Sequence, residues 1–317
     1  MSKEKKCTIY LIRHEERYDN GLIDCSLTDR GLYNAQNIVN DKLVKQNIEH
    51  FNIYCSPFLR TMQTIFPYVF NICEKYNNSL SFCLEDSLYE LINHNISHYF
   101  KYDPKPRIEG RINFFYYECS LIDQLYSEIS NDKFENAKKI AITFLTFLNN
   151  CTYEKEEIIK ILNDLIILLD KNILTKENTH IEFNNLRMRL YDKFKDTIMN
   201  TYINSDYTSL ININKYNEDK INKKESFEML LNRTRLLCKN ILDNSKYQNS
   251  IYVSHQSVIY AIIINLFKVK FDNKWKMMFL KKFKVESYNN FFLNYPIDQG
   301  DILKIEITQF DICIKKI

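Results

Sequence analysis

A chain of 317 residues with 45% hydrophobic content can bury one large core, or a core that carries an inserted subdomain. Its net charge of +3, with acids and bases interspersed, excludes the broad cationic surface on which nucleic-acid binding depends. Nine scattered cysteines without Cys-x-x-Cys spacing speak for free thiols in a reducing compartment rather than a disulfide framework.

Taken in chain order, Cys7 to Ile12 reads as an apolar strand that delivers Arg13 and His14 into the polar turn Arg13-His14-Glu15-Glu16-Arg17. A helix is expected from about Thr28 to Lys45, with Thr28 as its cap and Asp29 suiting the amino-terminal dipole. Asn52 to Cys55 reads as a second strand, followed by a helix from Pro57 to Tyr76. Ser56 can cap that helix and Pro57 suits its first position, so Arg60 falls in the first turn, where anions are favoured. A strand from Ser81 to Leu84 completes a β-α-β-α-β half.

Residues 93–224 form the next division, with apolar residues recurring at three and four over Asp132 to Asn149, Tyr153 to Lys171 and Ile181 to Tyr202. This reads as a helical insert or cap. The second half resumes near Ser226 with a helix to about Leu242, a strand from Ser250 to Ser254 that ends at His255, and a helix from Gln256 to Phe267. Strands are expected at Asn290 to Asn294 and Ile302 to Thr308, joined by the turn Asp298-Gln299-Gly300-Asp301. The predicted divisions are therefore 1–92, 93–224 and 225–317. Alternating strands and helices imply an α/β class, with a mostly parallel central sheet covered by helices on both faces.

In such sheets ligands bind at the carboxyl ends of the strands, where Arg13, His14 and His255 are delivered. Phosphate suits this set, because a guanidinium fork matches its oxygens and an imidazole can attack phosphorus. The four glycines are dispersed, which excludes a P-loop and a dinucleotide fingerprint. Cys55 stands one residue short of the Cys-x5-Arg spacing of a cysteine phosphatase loop. Glu90, His94 and His98 recur at intervals of four and could share a helix face toward zinc, but no fourth strong ligand accompanies them.

Several separated segments, in order, resemble the histidine phosphatase superfamily, which includes phosphoglycerate mutases and many phosphatases. They are Leu11-Ile12-Arg13-His14; Leu27-Thr28 with Gly31 and Ala35; Ser56-Pro57 with Arg60, Gln63 and Thr64; Glu225-Ser226-Phe227 followed by Arg233 and Arg235; and Val253-Ser254-His255. The nearest resemblance is to the branch of suppressor-of-T-cell-receptor-signalling and ecdysteroid-phosphate phosphatases. Arg13-His14-Glu15-Glu16-Arg17-Tyr18-Asp19 is similar to that branch's Arg-His-Gly-Glu-Arg-x-Asp. Glu85-Asp86-Ser87-Leu88-Tyr89-Glu90 is similar to its Glu-x-Gly-Leu-x-Glu. In both segments a glycine is replaced, by Glu15 and by Ser87.

The resemblance implies a phosphoglycerate mutase-like fold and residue roles. His14 is the expected nucleophile and forms a phosphohistidine. Arg13, Arg17 and Arg60 are expected on the phosphoryl oxygens, with His255 on the opposite side of the phosphate, and Asn20 matches a position where many members place a phosphate-contacting Asn. Glu90 is the expected proton donor, with Glu85 and Glu109 as competing candidates. No cofactor and no metal are expected. The mutase stretch Glu-Arg-x-Tyr-Gly is missing after Leu84, so the expected activity is phosphoric monoester hydrolysis on a phosphorylated small molecule or phosphopeptide. Since Glu15 replaces the motif glycine, a second reading stays open: a catalytically weak or inactive pseudo-phosphatase serving as a protein-binding or assembly module, with the insert as the contact for a homodimer or protein partner. No apolar run approaches the length of a membrane span and no signal peptide precedes the first strand, so a cytoplasmic location is expected.

Overall fold

The computed structural model describes residues 7–18, 25–47, 51–76, 81–91, 121, 124–125, 127–129, 131, 133–149, 156–170, 204, 206–211, 225–244, 249–286, 288–308 and 310–317. The chain divides into two compact units, one made of Met1–Glu16, Tyr33–Asp103 and Tyr202–Ile317, the other of Arg17–Leu32 and Pro104–Thr201.

The first unit is built on a sheet of six strands: β1 (Cys7–Arg13), β2 (Phe51–Cys55), β3 (Phe82–Leu84), β4 (Asn249–Ser254), β5 (Ile302–Ile307) and β6 (Ile312–Lys316), in the order β3-β2-β4-β1-β5-β6. β3, β2, β4 and β1 run parallel to one another, while β5 is antiparallel to both β1 and β6. The expected α/β class with a mostly parallel sheet is thus observed. Leu11 and Ile12 are both fully buried although they point to opposite faces, as a strand covered on both sides requires.

The helical run after β1 consists of α1 (Asp29–Asn34), a π-helical turn (Ala35–Val39) and α2 (Asn40–Lys45), and it leads to β2; α3 (Leu59–Tyr76) leads on to β3. Gly31 N donates to Thr28 Oγ1 at 3.0 Å, which makes Thr28 the cap expected of it. Later come α6 (Phe227–Asn244), α7 (Gln256–Phe271), α8 (Trp275–Phe283) and α9 (Tyr288–Asn294), after α4 (Phe134–Asn149) and α5 (Glu156–Asp170) of the second unit. The crossovers β1 to β2 and β2 to β3 move one way along the sheet, and the return to β4 moves the other. Right-handed crossovers therefore place α2 and α3 on one face and α6 on the opposite one, where α7 packs against it. The packing agrees, with α2 and the π turn against α3, and α7 against α6. Asn265 of α7 fixes that second pair by donating to Leu231 O at 2.6 Å and Thr234 Oγ1 at 2.9 Å, which satisfies a buried amide.

Three expectations need correction. Residues 290–294 form helix α9 instead of a strand, because Phe291 packs into the aromatic cluster of Phe279, Phe283 and Tyr295. The antiparallel partner of β5 is β6, closed by a turn in which Thr308 N donates to Asp311 O at 3.0 Å, so Asp298–Asp301 leads from α9 into β5 and joins no strand pair. Helix α3 starts at Leu59, two residues later than expected, after a turn in which Thr61 Oγ1 donates to Ser56 O at 2.7 Å and Phe58 O at 2.6 Å, and Ser56 Oγ faces His255 Nε2 at 3.0 Å.

In the second unit, α4 and α5 pack on each other along Ala137, Ala141 and Phe144 of the former and Leu162, Leu165 and Leu169 of the latter, all buried. The pattern over Ile181 to Tyr202 lies outside the described residues. None of the described helices is long and apolar enough to cross a membrane.

Candidate active site

The carboxyl ends of four parallel strands supply the site of the first unit. Arg13 pairs with Ser254 in the β1–β4 register, so the residues that follow, His14 and His255, emerge side by side from adjacent strands. Their ring centroids are 5.2 Å apart. His14 N donates to Ser254 O at 3.0 Å, Ser56 N to Val253 O at 3.0 Å and Glu85 N to Cys55 O at 2.9 Å, which extends the parallel hydrogen-bond pattern one residue beyond the strands. Two imidazoles encoded 241 positions apart thus become neighbours by strand pairing.

His14 Nδ1 lies 2.7 Å from Glu15 O, an acceptor only, so Nδ1 carries the proton and Nε2 keeps its lone pair. In its neutral form an imidazole held in that tautomer presents Nε2 as its nucleophilic nitrogen. His255 stands at the N-cap position of α7 without a side-chain cap bond, and its Nε2 is paired with Ser56 Oγ at 3.0 Å. Its Nδ1 faces Arg60 Nη2 at 3.5 Å and Glu90 Oε2 at 3.9 Å. Phe58 supports the ring edge-on at 5.0 Å, and the Arg60 guanidinium lies 4.2 Å from the same phenyl ring.

Arg60 occupies the first turn of α3 with a fully buried side chain, and its Nη2 donates to Glu90 Oε2. Glu90, whose side chain is 38% exposed, is the member of this group that reaches solvent. Arg13 leaves the end of β1 and donates from Nη1 to Ile297 O at 2.6 Å. Burial lowers its basicity, while nearby Asp298, Tyr260, Glu90 and Asp301 act the other way. Gly300 fits under this turn. Its N lies 3.2 Å from Arg13 O and 3.3 Å from His14 O, its φ is +75°, and a Cβ there would fall 1.8 Å from Glu15 Oε1.

The two residues that replace motif glycines stand at negative φ. Glu15 therefore carries no left-handed strain. Its N donates to Thr64 Oγ1 at 3.0 Å, and its carboxylate takes Asn34 Nδ2 at 3.3 Å and lies over Gly300. Ser87 donates its N to Glu85 Oε1 at 2.9 Å.

Among the competing acids, Glu85 is fully buried and saturated with donors: Ser87 N, Ser209 Oγ at 3.0 Å, Tyr207 OH at 2.5 Å and Leu210 N at 3.1 Å. It braces the loop and has no open oxygen for a substrate. Glu109 and Asn20 lie outside the described residues, as do His94 and His98 of the zinc spacing. Arg17 belongs to the second unit, where it donates to Tyr18 O at 3.3 Å and Cys25 Sγ at 3.3 Å and pairs with Leu27 in an isolated bridge. Burial pushes the Cys55 thiol up to about 12, which makes it inert as a nucleophile. No group of three or more candidate metal-binding side chains occurs among the described residues.

Sequence reasoning missed three contributors. Ser56 was expected as a helix cap and instead orients His255. Gly300 was expected in a strand turn and instead closes the floor under Arg13 and His14. Glu225 and Arg233, matched only as a motif, form a buried ion pair at 2.9 Å; their eight-residue spacing along one amphipathic stretch is the signal that could have found it.

No family model and no curated protein matches this sequence. Solved structures do. The ecdysone phosphate phosphatase of Bombix mori, in complex with tungstate, aligns with a TM-score of 0.49 and 10% identity over 97% of this chain and 92% of its own. A mutant phosphoserine phosphatase of Entamoeba histolytica, in complex with phosphoserine, aligns with a TM-score of 0.38 and 11% identity over 98% and 95% of the two chains.

Proposed function

We propose that this protein hydrolyses a phosphomonoester through a phosphohistidine on His14. The observation that carries the reading is the pair of imidazoles with ring centroids 5.2 Å apart, with the cation of Arg60 beside His255 and a half-exposed carboxylate on Arg60. That combination holds a nucleophile, charge for an equatorial phosphoryl oxygen, and an acid at the solvent side.

In the first step the lone pair of His14 Nε2 attacks phosphorus and the ester P–O bond breaks. The departing oxygen takes the proton of Glu90, which leaves phospho-His14, a Glu90 carboxylate and the free alcohol. In the second step the carboxylate withdraws a proton from water as its oxygen bonds to phosphorus. The P–N bond then breaks, phosphate leaves, and both His14 and Glu90 return to their starting forms. A phosphate seated on Arg60 takes the guanidinium donor that Glu90 Oε2 holds in the unliganded site and so turns the Glu90 carboxyl toward the ester oxygen. Arg13 and Arg60 bear the phosphoryl charge; losing one such contact is worth about a hundredfold in rate. Arg17 and Asn20 are assigned to the same phosphoryl group on the motif alone. The substrate class is a phosphorylated small molecule or phosphopeptide, handled in the cytoplasm.

The test is release of p-nitrophenol from p-nitrophenyl phosphate, with rapid quench to trap acid-labile phosphate on the protein. Wild type is expected to turn over and to trap phosphate, and His14→Ala to do neither. Equal or zero release from both proteins overturns the enzymatic reading and favours the binding-module alternative.

A further inference from the structure

The loop Glu85–Leu91 carries Glu90 and has little regular structure of its own beyond one 3-10 turn, Asp86–Leu88. A carboxyl that must donate to a leaving oxygen and then activate water has to be held to within a fraction of an ångström. Something outside the loop must therefore hold it.

Five successive carbonyls of this loop accept hydrogen bonds from two side chains of other elements. Arg233, on α6, donates from Nη1 to Asp86 O at 3.4 Å, Ser87 O at 3.1 Å and Tyr89 O at 2.9 Å, and from Nη2 to Glu90 O at 3.4 Å. Ser254 Oγ, next to His255, donates to the remaining one, Leu88 O, at 2.6 Å. The opposite edge of the same guanidinium makes a fork with Glu225, Nε to Oε1 and Nη2 to Oε2, both at 2.9 Å. Arg233 is 3% exposed and Glu225 4%, so the pair is sealed from water, and Glu225 neutralises a cation that would otherwise be too costly to bury.

We propose, resting on the reading of Glu90 as the acid, that Arg233 neutralised by Glu225 is the positioning residue of the reaction. Its planar fork fixes the backbone of Tyr89 and Glu90, and through it the distance from the Glu90 carboxyl to the leaving oxygen on the Arg60 side of the site. It touches neither substrate nor phosphate, because its donors are consumed by the loop and by Glu225. A lysine keeps the charge but presents one ammonium where this geometry needs a planar fork.

The test is the ratio of kcat/KM for p-nitrophenyl phosphate to that for an alkyl phosphate such as glycerol phosphate. A nitrophenolate leaves with little help, whereas an alkoxide needs the proton of Glu90. The ratio is independent of how much of a variant preparation is folded, so it is informative even for a weakened protein. Arg233→Lys is expected to raise the ratio roughly tenfold or more, with KM for p-nitrophenyl phosphate changing less than about threefold. Glu225→Gln should move it the same way to a smaller degree, and Arg233→Lys in a Glu90→Gln background should not raise it further. Equal losses on both esters, or a double variant that raises the ratio beyond Glu90→Gln alone, overturns the positioning role while leaving the phosphatase reading intact. Wild type inactive on both esters overturns the phosphatase reading and this inference with it.

Discussion

Glu90→Gln separates two effects of one side chain with opposite signs. In the free protein the Glu90 carboxylate rests on Arg60, whose side chain is fully buried, while that of Glu90 is 38% exposed. A phosphate that binds Arg60 must first displace this carboxylate. A salt bridge with one partner this open to solvent is worth about 1 kcal/mol, of which glutamine recovers little because it is neutral. Removing the competitor should therefore tighten inorganic phosphate by about fivefold, since 1.4 kcal/mol corresponds to tenfold. The same substitution removes the proton donor, so turnover of an alkyl phosphate should fall by about a hundredfold or more. Calorimetric titration of phosphate into both proteins reads the first effect without requiring activity, and steady-state hydrolysis reads the second. Phosphate binding that is unchanged or weakened in Glu90→Gln would refute the competition for Arg60.

Other perturbations probe other parts of the site. Ser56→Ala removes the hydroxyl that pairs with the buried His255 Nε2, a loss of about 1–2 kcal/mol, and should lower kcat/KM roughly tenfold in the same assay. Glu225→Ala leaves the Arg233 cation buried without its counter-charge and should cost about 3–5 kcal/mol in urea unfolding; Glu225→Gln, whose amide oxygen still accepts from the guanidinium, should cost less. Gly300→Ala meets both a φ of +75° and the Glu15 carboxylate, so it should destabilise by about 2 kcal/mol, and adding Glu15→Ala should return only the steric share, visible as non-additive melting shifts. The Cys55 thiol, raised from an ordinary 9.0 to about 12 by burial, stays protonated in the native state while the unfolded state loses its proton. Its contribution is therefore complete below about pH 9 and is lost as pH rises toward 12, so Cys55→Ala should flatten the alkaline fall in unfolding free energy.

Local chemistry was enough to read the strand that ends at His14, the strand that ends at His255 and the helix that holds Arg60 in its first turn. Apolar runs bounded by turn residues carry their own period, and a residue that ends such a run sits at the end of a strand wherever that strand pairs. The α/β alternation followed for the same reason. What the residues could not announce was α9, where the alternating look of residues 290–294 yields to the aromatic packing of Phe291, and β6, whose strand character depends on pairing with β5.

The sequence by itself determined which side chains arrive at the ends of the strands: Arg13, His14, Arg60 and His255 were legible because each is fixed by its own few neighbours. Only the tertiary structure decided what those side chains meet. The β1–β4 register sets the two imidazoles 5.2 Å apart, Ser56 turns from a cap into the partner of His255, and Glu85 is consumed by Tyr207 and Ser209, leaving Glu90 on Arg60. Arg233 gathers a loop encoded more than 140 positions earlier. Hydrogen-bond partners of this kind are chosen by proximity in space, and nothing within a turn or two of chain specifies them.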